Sequence, residues 1–339
     1  MAAPFRVRSF RFQWPADLAT SWAFEMENLI LGWYVLSATG SVQSLVVLGA
    51  LVWFGSLFSP FFGIVGDRLG FRFLLCATRA VYALLAGTLT ALTLSGALAP
   101  WHVFTIAAMA GLLRPSDNVM RYVLVGQTMP PPLLLAALGI SRTTSDTARI
   151  AGALAGTGGV ALIGMGAAYV IVTAMYVGAF FLSLGVAGPP PRRGPAPRTE
   201  AAAADALAGL KQALGYVWHK TDQLGAFSMA FLVNLLAFPF FLGLLPYVAK
   251  EVYATGQAGL GYIAASFSAG AFAGSLILGA RRSPMRAGRV MLAAGAVWFV
   301  AILVFGQSRS MALGLPLLFV CGLAQSFCMT PLAAVMLRS

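Results

Sequence analysis

The stretch Gly63–Leu75, GIVGDRLGFRFLL, sets three charges, Asp67, Arg68 and Arg72, among three glycines, Gly63, Gly66 and Gly70. It lies between two long apolar segments of a chain that has little charge to spend. Of 339 residues, 59% are hydrophobic and only 9% charged, against about 25% charged in a soluble domain. So few charges cannot cover the surface of a water-soluble fold, so lipid is the expected solvent. The net charge of +12 does not point to nucleic acid. The basic residues form short clusters between apolar runs, as in cytoplasmic loops, and build no continuous basic face.

A bilayer core about 30 Å thick needs about 20 apolar residues per helix. Ten such spans are expected, centred near Phe24, Val52, Leu84, Ala108, Ala151, Met175, Leu235, Ser268, Phe299 and Leu323. Between the sixth and seventh runs PPPRRGPAPRTEAAAADALAGLKQALGYVWHK. Its prolines preclude a regular helix at the start, and the part from Thr199 reads as a polar surface helix. The expected organisation is a six-helix bundle over 1–188, a cytoplasmic linker with a surface helix over 189–220, and a four-helix bundle over 221–339.

Arginine and lysine set the orientation. Arg6, Arg8 and Arg11 precede the first span, Arg68 and Arg72 follow the second, and Arg121 and Arg142 flank the 4–5 connection. The linker holds Arg192, Arg193, Arg198, Lys211 and Lys220, and the 8–9 loop holds Arg281, Arg282, Arg286 and Arg289. The opposite side has only Lys250 and Arg309. The rich loops share one parity, which places them and the amino terminus in the cytoplasm of a multi-pass plasma (inner) membrane protein. No cleavable signal peptide is evident, since the first apolar segment is long and carries Asp17, Glu25 and Glu27.

Basic loops after spans two and eight become equivalent if the linker marks a midpoint, the layout of a transporter built from two related halves. Within the opening stretch, Gly63-x-x-x-Asp67-Arg68-x-Gly70-x-Arg72 resembles the signature loop of the major facilitator superfamily. The resemblance implies an all-α integral membrane fold of two helical bundles, and a cytoplasmic latch made by Gly63, Gly66, Asp67, Arg68, Gly70 and Arg72. Phe71 departs from the pattern, standing where the family usually has a basic residue. The stretches NLILGWYVLSATGS, PPLLLAALGISRTTSDTARIAGALAG and LLPYVAKEVYATGQAGLGYIAASFSAGAFAGSLILGA resemble a bacterial exporter branch that includes enterobactin-exporter-like proteins and transmembrane secretion effectors. In IAGALAG, Ala153 stands where that branch usually has proline. The family has twelve helices, of which about ten are expected here. The resemblance therefore implies a truncated gene or a fragment, in preference to a ten-helix protein completed by oligomerisation, and an Asp67 without its usual partner on helix 11.

Charges inside a membrane are costly and mark function. Glu25 and Glu27 point roughly opposite ways on a helix turning about 100° per residue, and Asn28 lies about 60° from Glu25. Both glutamates cannot face one cavity. With Asp17 they are the candidates for proton coupling, since protonation relieves the cost of burying a carboxylate while two bundles rock. Asp17 could instead cap the helix start. In span four, four-residue spacing puts Arg114 with Asn118 and Asp117 with Arg121, and Asp117 can pair Arg121 or Arg114. Arg142, Asp146 and Arg149 form a similar ladder in span five. Arg114 is the deepest of these basic residues. Asn28, Arg114, Asn118, Asn234 and Gln325 are the candidate substrate contacts. Asn234 and Gln325 could equally join helices. The aromatics Trp22, Trp33, Tyr34 and Phe238 could line a cavity or anchor at the interface.

Cys76, Cys321 and Cys328 sit in apolar segments and read as core residues. His102 and His219 stand alone, so no metal site, cofactor or catalytic constellation is expected. No glycine loop with lysine suggests an ATP-driven pump. The expected activity is secondary active export of a small molecule, drug- or siderophore-like, by alternating access with proton antiport. An importer of the same fold and a non-transporting membrane protein are the alternatives. The expected partners are the substrate, protons and lipid. The oligomeric state is not legible.

Overall fold

In the computed structural model, residues 3–58, 62, 65–66, 69–187, 221–237, 240–280 and 287–337 are described, and among them there is no strand. A short 3₁₀ turn, Ala3–Arg6, leads into α1, Arg8–Thr39. Then come α2, Val42–Trp53, followed by a 3₁₀ turn Phe54–Phe58; α3, Phe71–Leu94; α4, Pro100–Thr128; and α5, Pro131–Leu184. After 220 come α6, Thr221–Leu232; α7, Gln257–Ala280; α8, Ala287–Gln307; and α9, Met311–Leu337. Between α6 and α7 the backbone winds as π turns, Val233–Ala237, Phe240–Leu244 and Val248–Val252, around a short α turn, Leu245–Tyr247. All ten expected span centres fall within these helical segments.

Local chemistry explains the boundaries. Ser41 accepts the Ser44 N–H at the start of α2, satisfying one of the orphan donors of a helix N-terminus. Pro100 and Pro131 open α4 and α5, where a missing N–H costs nothing. The run of α5 holds two expected spans. They are separated at Gly164, whose φ of 80° lies in a region that side-chain-bearing residues avoid.

Among the described residues, five helical segments are long and apolar enough to cross a membrane: Phe71–Leu94, Leu162–Leu184, Gln257–Leu278, Gly288–Gln307 and Met311–Leu332. α1 and α4 are also long enough, at 32 and 29 residues. They differ in carrying Asp17, Glu25 and Glu27, or Arg114, Asp117 and Arg121.

The chain forms two compact units. One comprises Met1–Arg192 and Leu242–Ser268, the other Arg193–Phe241 and Ala269–Ser339. The apolar centre of the first gathers Ile30, Val35, Leu48, Val103, Tyr169 and Val172, contributed by α1, α2, α4 and α5. Small residues set the helix crossings there. A Cβ on Gly111 of α4 would run into the Leu51 carbonyl and the Val52 backbone of α2. A Cβ on Gly55 would meet the carbonyls of Gly111 and Leu112. Pro115 has no N–H for the Gly111 carbonyl four residues back, so that oxygen at the crossing is free of the usual helical bond. Along α5, Gly152 packs on Trp22 and Glu25, and Gly156 on the backbone of Met26. The glycine-rich IAGALAG stretch is thus the seam with α1, and its backbone stays helical through Ala153.

The second unit repeats the device. A Cβ on Gly270 or Gly274 of α7 would strike Phe319, Leu323 or Ser326 of α9, and Ser326 Oγ donates to the Ala271 carbonyl at 2.6 Å. Trp298 of α8 is fully buried, 6.3 Å from the Phe241 ring.

Candidate functional site

The functional candidates of the first unit fall into two adjoining polar clusters inside otherwise apolar helices. The first is a quartet of charges. Arg79 of α3 is completely buried. Its Nη2 donates to Asp17 Oδ1 of α1, and its Nη1 to Ser183 Oγ near the end of α5. Its Nε lies 3.9 Å from Asp117 Oδ1 of α4. Arg121, one turn beyond Asp117, pairs with Asp117 Oδ2 at 2.5 Å, lies 3.6 Å from Asp17 Oδ1 and donates to Ser21 Oγ at 2.9 Å. Gln13 Nε2 donates to the Arg121 carbonyl at 2.9 Å. Two carboxylates and two guanidiniums balance to zero, the condition for tolerating ions away from water. Four helices meet at this point.

The second cluster surrounds Glu27. Tyr176 of α5 donates to Glu27 Oε2 at 2.8 Å, both being buried. The Arg114 guanidinium sits over the Phe24 ring, a cation–π placement that suits a desolvated cation. Arg114 and Glu27 line one narrow cleft between α1, α2 and α4, together with Asn28 and apolar side chains. Tyr82 lies on α3 one turn from Arg79, its ring 5.6 Å from that of Tyr176. One face of α3 therefore touches both clusters.

A second narrow cleft opens beside the quartet. Its walls include Trp14, Asp17, Ser21, Asn118, Arg121 and Thr144. Trp14 Nε1 donates to Thr144 Oγ1 at 2.8 Å, which ties α1 to the first half of α5.

Set against the expected sites, the angular separation of the glutamates holds: Glu27 lines the first cleft, while the Cβ of Glu25 faces Gly152 of α5. Asn28 joins Glu27 in that cleft. Asp17 does not cap α1, which begins at Arg8; its carboxylate is held by Arg79 and Arg121. Asp117 takes Arg121 as its ion-pair partner. Arg114 and Asn118 share a face in principle, yet each lines a different cleft. Asn234 is exposed and donates to the Ala230 carbonyl of its own helix at 2.8 Å. Gln325 is half-buried in α9. Both belong to the second unit.

Of the latch residues, Gly63, Asp67 and Arg68 lie outside the described residues, as do the linker helix, His219 and Phe238; for the Arg142, Asp146 and Arg149 ladder the same holds of the side chains. Gly70 precedes α3 with φ 89°. The Phe71 ring packs so closely on Gly66 that a Cβ there would meet it at 2.5 Å. Arg72 Nη2 donates to the Leu184 carbonyl at 2.8 Å, at the negative end of α5 where a cation is favoured. Tyr34 Oη donates to the Leu98 carbonyl at 2.9 Å. His102 Nδ1 accepts the Ala99 N–H at 3.1 Å, a helix-start contact. Cys76, Cys321 and Cys328 are free thiols.

Sequence reasoning missed Arg79, Ser183, Tyr82 and Tyr176. Arg79 did carry a signal. It is a charge in the middle of the apolar run FLLCATRAVYALL, and such a charge requires a partner from another helix.

A family model described as Major Facilitator Superfamily matches residues 16–339. Several solved structures share the architecture. A bacterial homologue of the human lysosomal transporter Spinster, inward-facing and unoccupied, is 14% identical over 96% of this chain and 75% of its own, with a TM-score of 0.60. A POT family transporter in complex with 5-aminolevulinic acid is 12% identical, covering 97% and 83%, with a TM-score of 0.68. A D-xylose–proton symporter is 11% identical, covering 96% and 79%, with a TM-score of 0.55. At these identities the likeness is one of fold. A search of curated proteins gives no match.

Proposed function

The chain belongs to the major facilitator superfamily, and from that premise we propose that it exports a small molecule across the plasma membrane by alternating access, in exchange for protons. That it is a multi-pass membrane protein of a transporter family follows from the family and the apolar helices. Direction, coupling and orientation are the proposal. The observation that carries it is Glu27, a carboxylate buried in a long helix beside a cleft, held by Tyr176 and facing Arg114. A proton on Glu27 removes a buried charge and changes what Arg114 must neutralise. Occupancy of the cleft is thereby linked to protonation. Asp17 sits in a balanced quartet and reads as a structural partner in the same unit. The exporter-like stretches support efflux. The D-xylose–proton symporter among the similar structures favours the second reading, import by the same fold.

The test is proton-driven flux of a panel of drug- and siderophore-like compounds in everted vesicles. Glu27→Gln is expected to lower gradient-dependent flux by at least about tenfold, the usual size of a positioned acid–base effect. Glu25→Gln is expected to retain most of it. Full coupling in Glu27→Gln would remove this residue from the mechanism.

Orientation has its own check. On this reading the amino terminus, the 2–3 turn that carries the proposed latch of Gly63, Gly66, Asp67, Arg68, Gly70 and Arg72, and the loop between α7 and α8 are cytoplasmic. Cysteines introduced in the 2–3 turn and in the loop between α7 and α8 should react with an impermeant maleimide in everted vesicles and not in intact cells. Labelling of the two turns from opposite surfaces would overturn the arrangement.

A further inference from the structure

Arg114, on the wall of the narrow cleft between α1, α2 and α4, is 8% exposed, and its Nη1 is buried with no hydrogen-bond partner among the described residues. Glu27 lines the same cleft, yet no ion pair joins the two among the described residues. The Phe24 ring covers the guanidinium but gives its N–H groups no lone pair. Opposite charges thus border one small space without closing on each other. A guanidinium only donates, so whatever sits against Nη1 is an acceptor. The space has room for about one water molecule. A carboxylate head, a phosphate or an organic body is too large for it, and a single water or a monatomic ion is not.

Charge decides between these two. With Glu27 ionised the pair is neutral, and water serves, accepting from Arg114 and donating to the carboxylate. With Glu27 protonated, Arg114 becomes a buried cation that needs a counter-charge. The surrounding helices supply none. Tyr176 of α5 holds Glu27 Oε2, and Tyr82 and Tyr169 share its core; all three are neutral phenols. From α2 come only Leu48 and Val52. Asp117, one turn along α4, pairs with Arg121, and Glu25 faces Gly152 of α5. Resting on the proton-coupled reading, we propose that this cleft binds a halide ion of chloride size together with the proton on Glu27. The anion accepts from Arg114 Nη1, the Asn28 amide and the Glu27 O–H. Anion without proton leaves the cleft at minus one and proton without anion at plus one, both penalised away from water, while the two together leave it neutral. Each therefore raises the affinity for the other by the same factor.

The test follows the melting temperature of the purified full chain in a neutral detergent while sodium chloride replaces sodium gluconate at constant ionic strength. A ligand of the folded state raises that temperature with its concentration. The chloride concentration giving half the effect is expected to be at least about tenfold lower at pH 6 than at pH 8. Bromide should act as chloride does, and sulfate should not. Glu27→Gln imitates the protonated acid and should respond to chloride equally at both pH values. Removing Arg114 alone strands Glu27, so the control is the neutral double variant Arg114→Met/Glu27→Gln, which should fold and show no chloride response. No response in the wild type, a response independent of pH, or one that persists in the double variant would each overturn the proposal. No gradient or substrate is present, which keeps the two readings separable. A chain that shows the pH-linked response and transports nothing refutes the transport reading and keeps the anion site. A chain that exchanges protons for substrate equally well in chloride and gluconate, with no thermal response, keeps transport and loses the site.

Discussion

Arg79→Met is expected to be the most damaging single change of charge in the protein. The Arg79 side chain has no exposure to solvent and contacts Asp17, Asp117 and Ser183 on three other helices. Methionine fits the helix and approximates the aliphatic stem, so packing changes little. Charge changes a great deal. The quartet has two positive and two negative members, and without Arg79 it holds two carboxylates against the single guanidinium of Arg121. Breaking one partner out of a buried ion pair costs about 3–5 kcal/mol, while whole domains are stable by only about 5–15 kcal/mol. The expected result is a steep fall in the yield of monodisperse protein and in its melting temperature in detergent. Asp17→Asn alone should also destabilise, by leaving Arg79 in excess. The double variant Arg79→Met/Asp17→Asn returns the cluster to zero net charge and should recover much of the loss, because replacing a buried ion pair as a whole is far cheaper than halving it. A single variant as stable as the wild type, or a double no better than the single, would show that the four charges do not act as a unit.

The same cluster shows what one sequence can disclose. Asp117 and Arg121 are one helical turn apart, and spacing alone allows their pairing. The Asp17–Arg79 contact spans 62 residues and the Glu27–Tyr176 contact 149, and only the fold brings such positions together. Charge was therefore legible as cost, through its rarity in apolar segments, and illegible as partnership. Periodicity did separate Glu25 from Glu27, since helix geometry is local. It could not tell that Asn28 would share the cleft of Glu27, which depends on where α2 and α4 lie. The span centres were legible because a bilayer fixes helix length. The π turns from Val233 to Val252 were not, although Pro246 within them, lacking an N–H, is the kind of residue that disturbs a regular ladder. Hydropathy is least informative for α1 and α4, the helices that hold most of the functional candidates. The charges that lower their hydropathy are those that meet in the interior.

Gly111→Leu should be as destructive as the loss of Arg79, for a steric reason. At Gly111 the α4 backbone lies directly against that of α2, and the atoms a Cβ would meet are the Leu51 carbonyl and the Val52 backbone. A flexible side chain could rotate aside; two helix backbones cannot. Overpacking in a core of side chains costs about 1–3 kcal/mol. Here accommodation means separating α2 from α4, which opens the adjoining cleft that both Gly111 and Arg114 line. In lipid the loss is sharper, because close packing of small residues is itself a main source of helix association. Gly126 provides the internal control, being on the same helix, exposed, and with nothing near the position of a Cβ. Gly126→Leu adds the same side chain to α4 and should leave the melting temperature within a few degrees of the wild type, as surface substitutions usually do. Gly111→Leu should instead yield aggregated protein, and Gly111→Ala an intermediate, measurably less stable form. If Gly111→Leu melts together with Gly126→Leu, the two helices do not cross at this glycine, and the cleft that depends on their separation loses its wall.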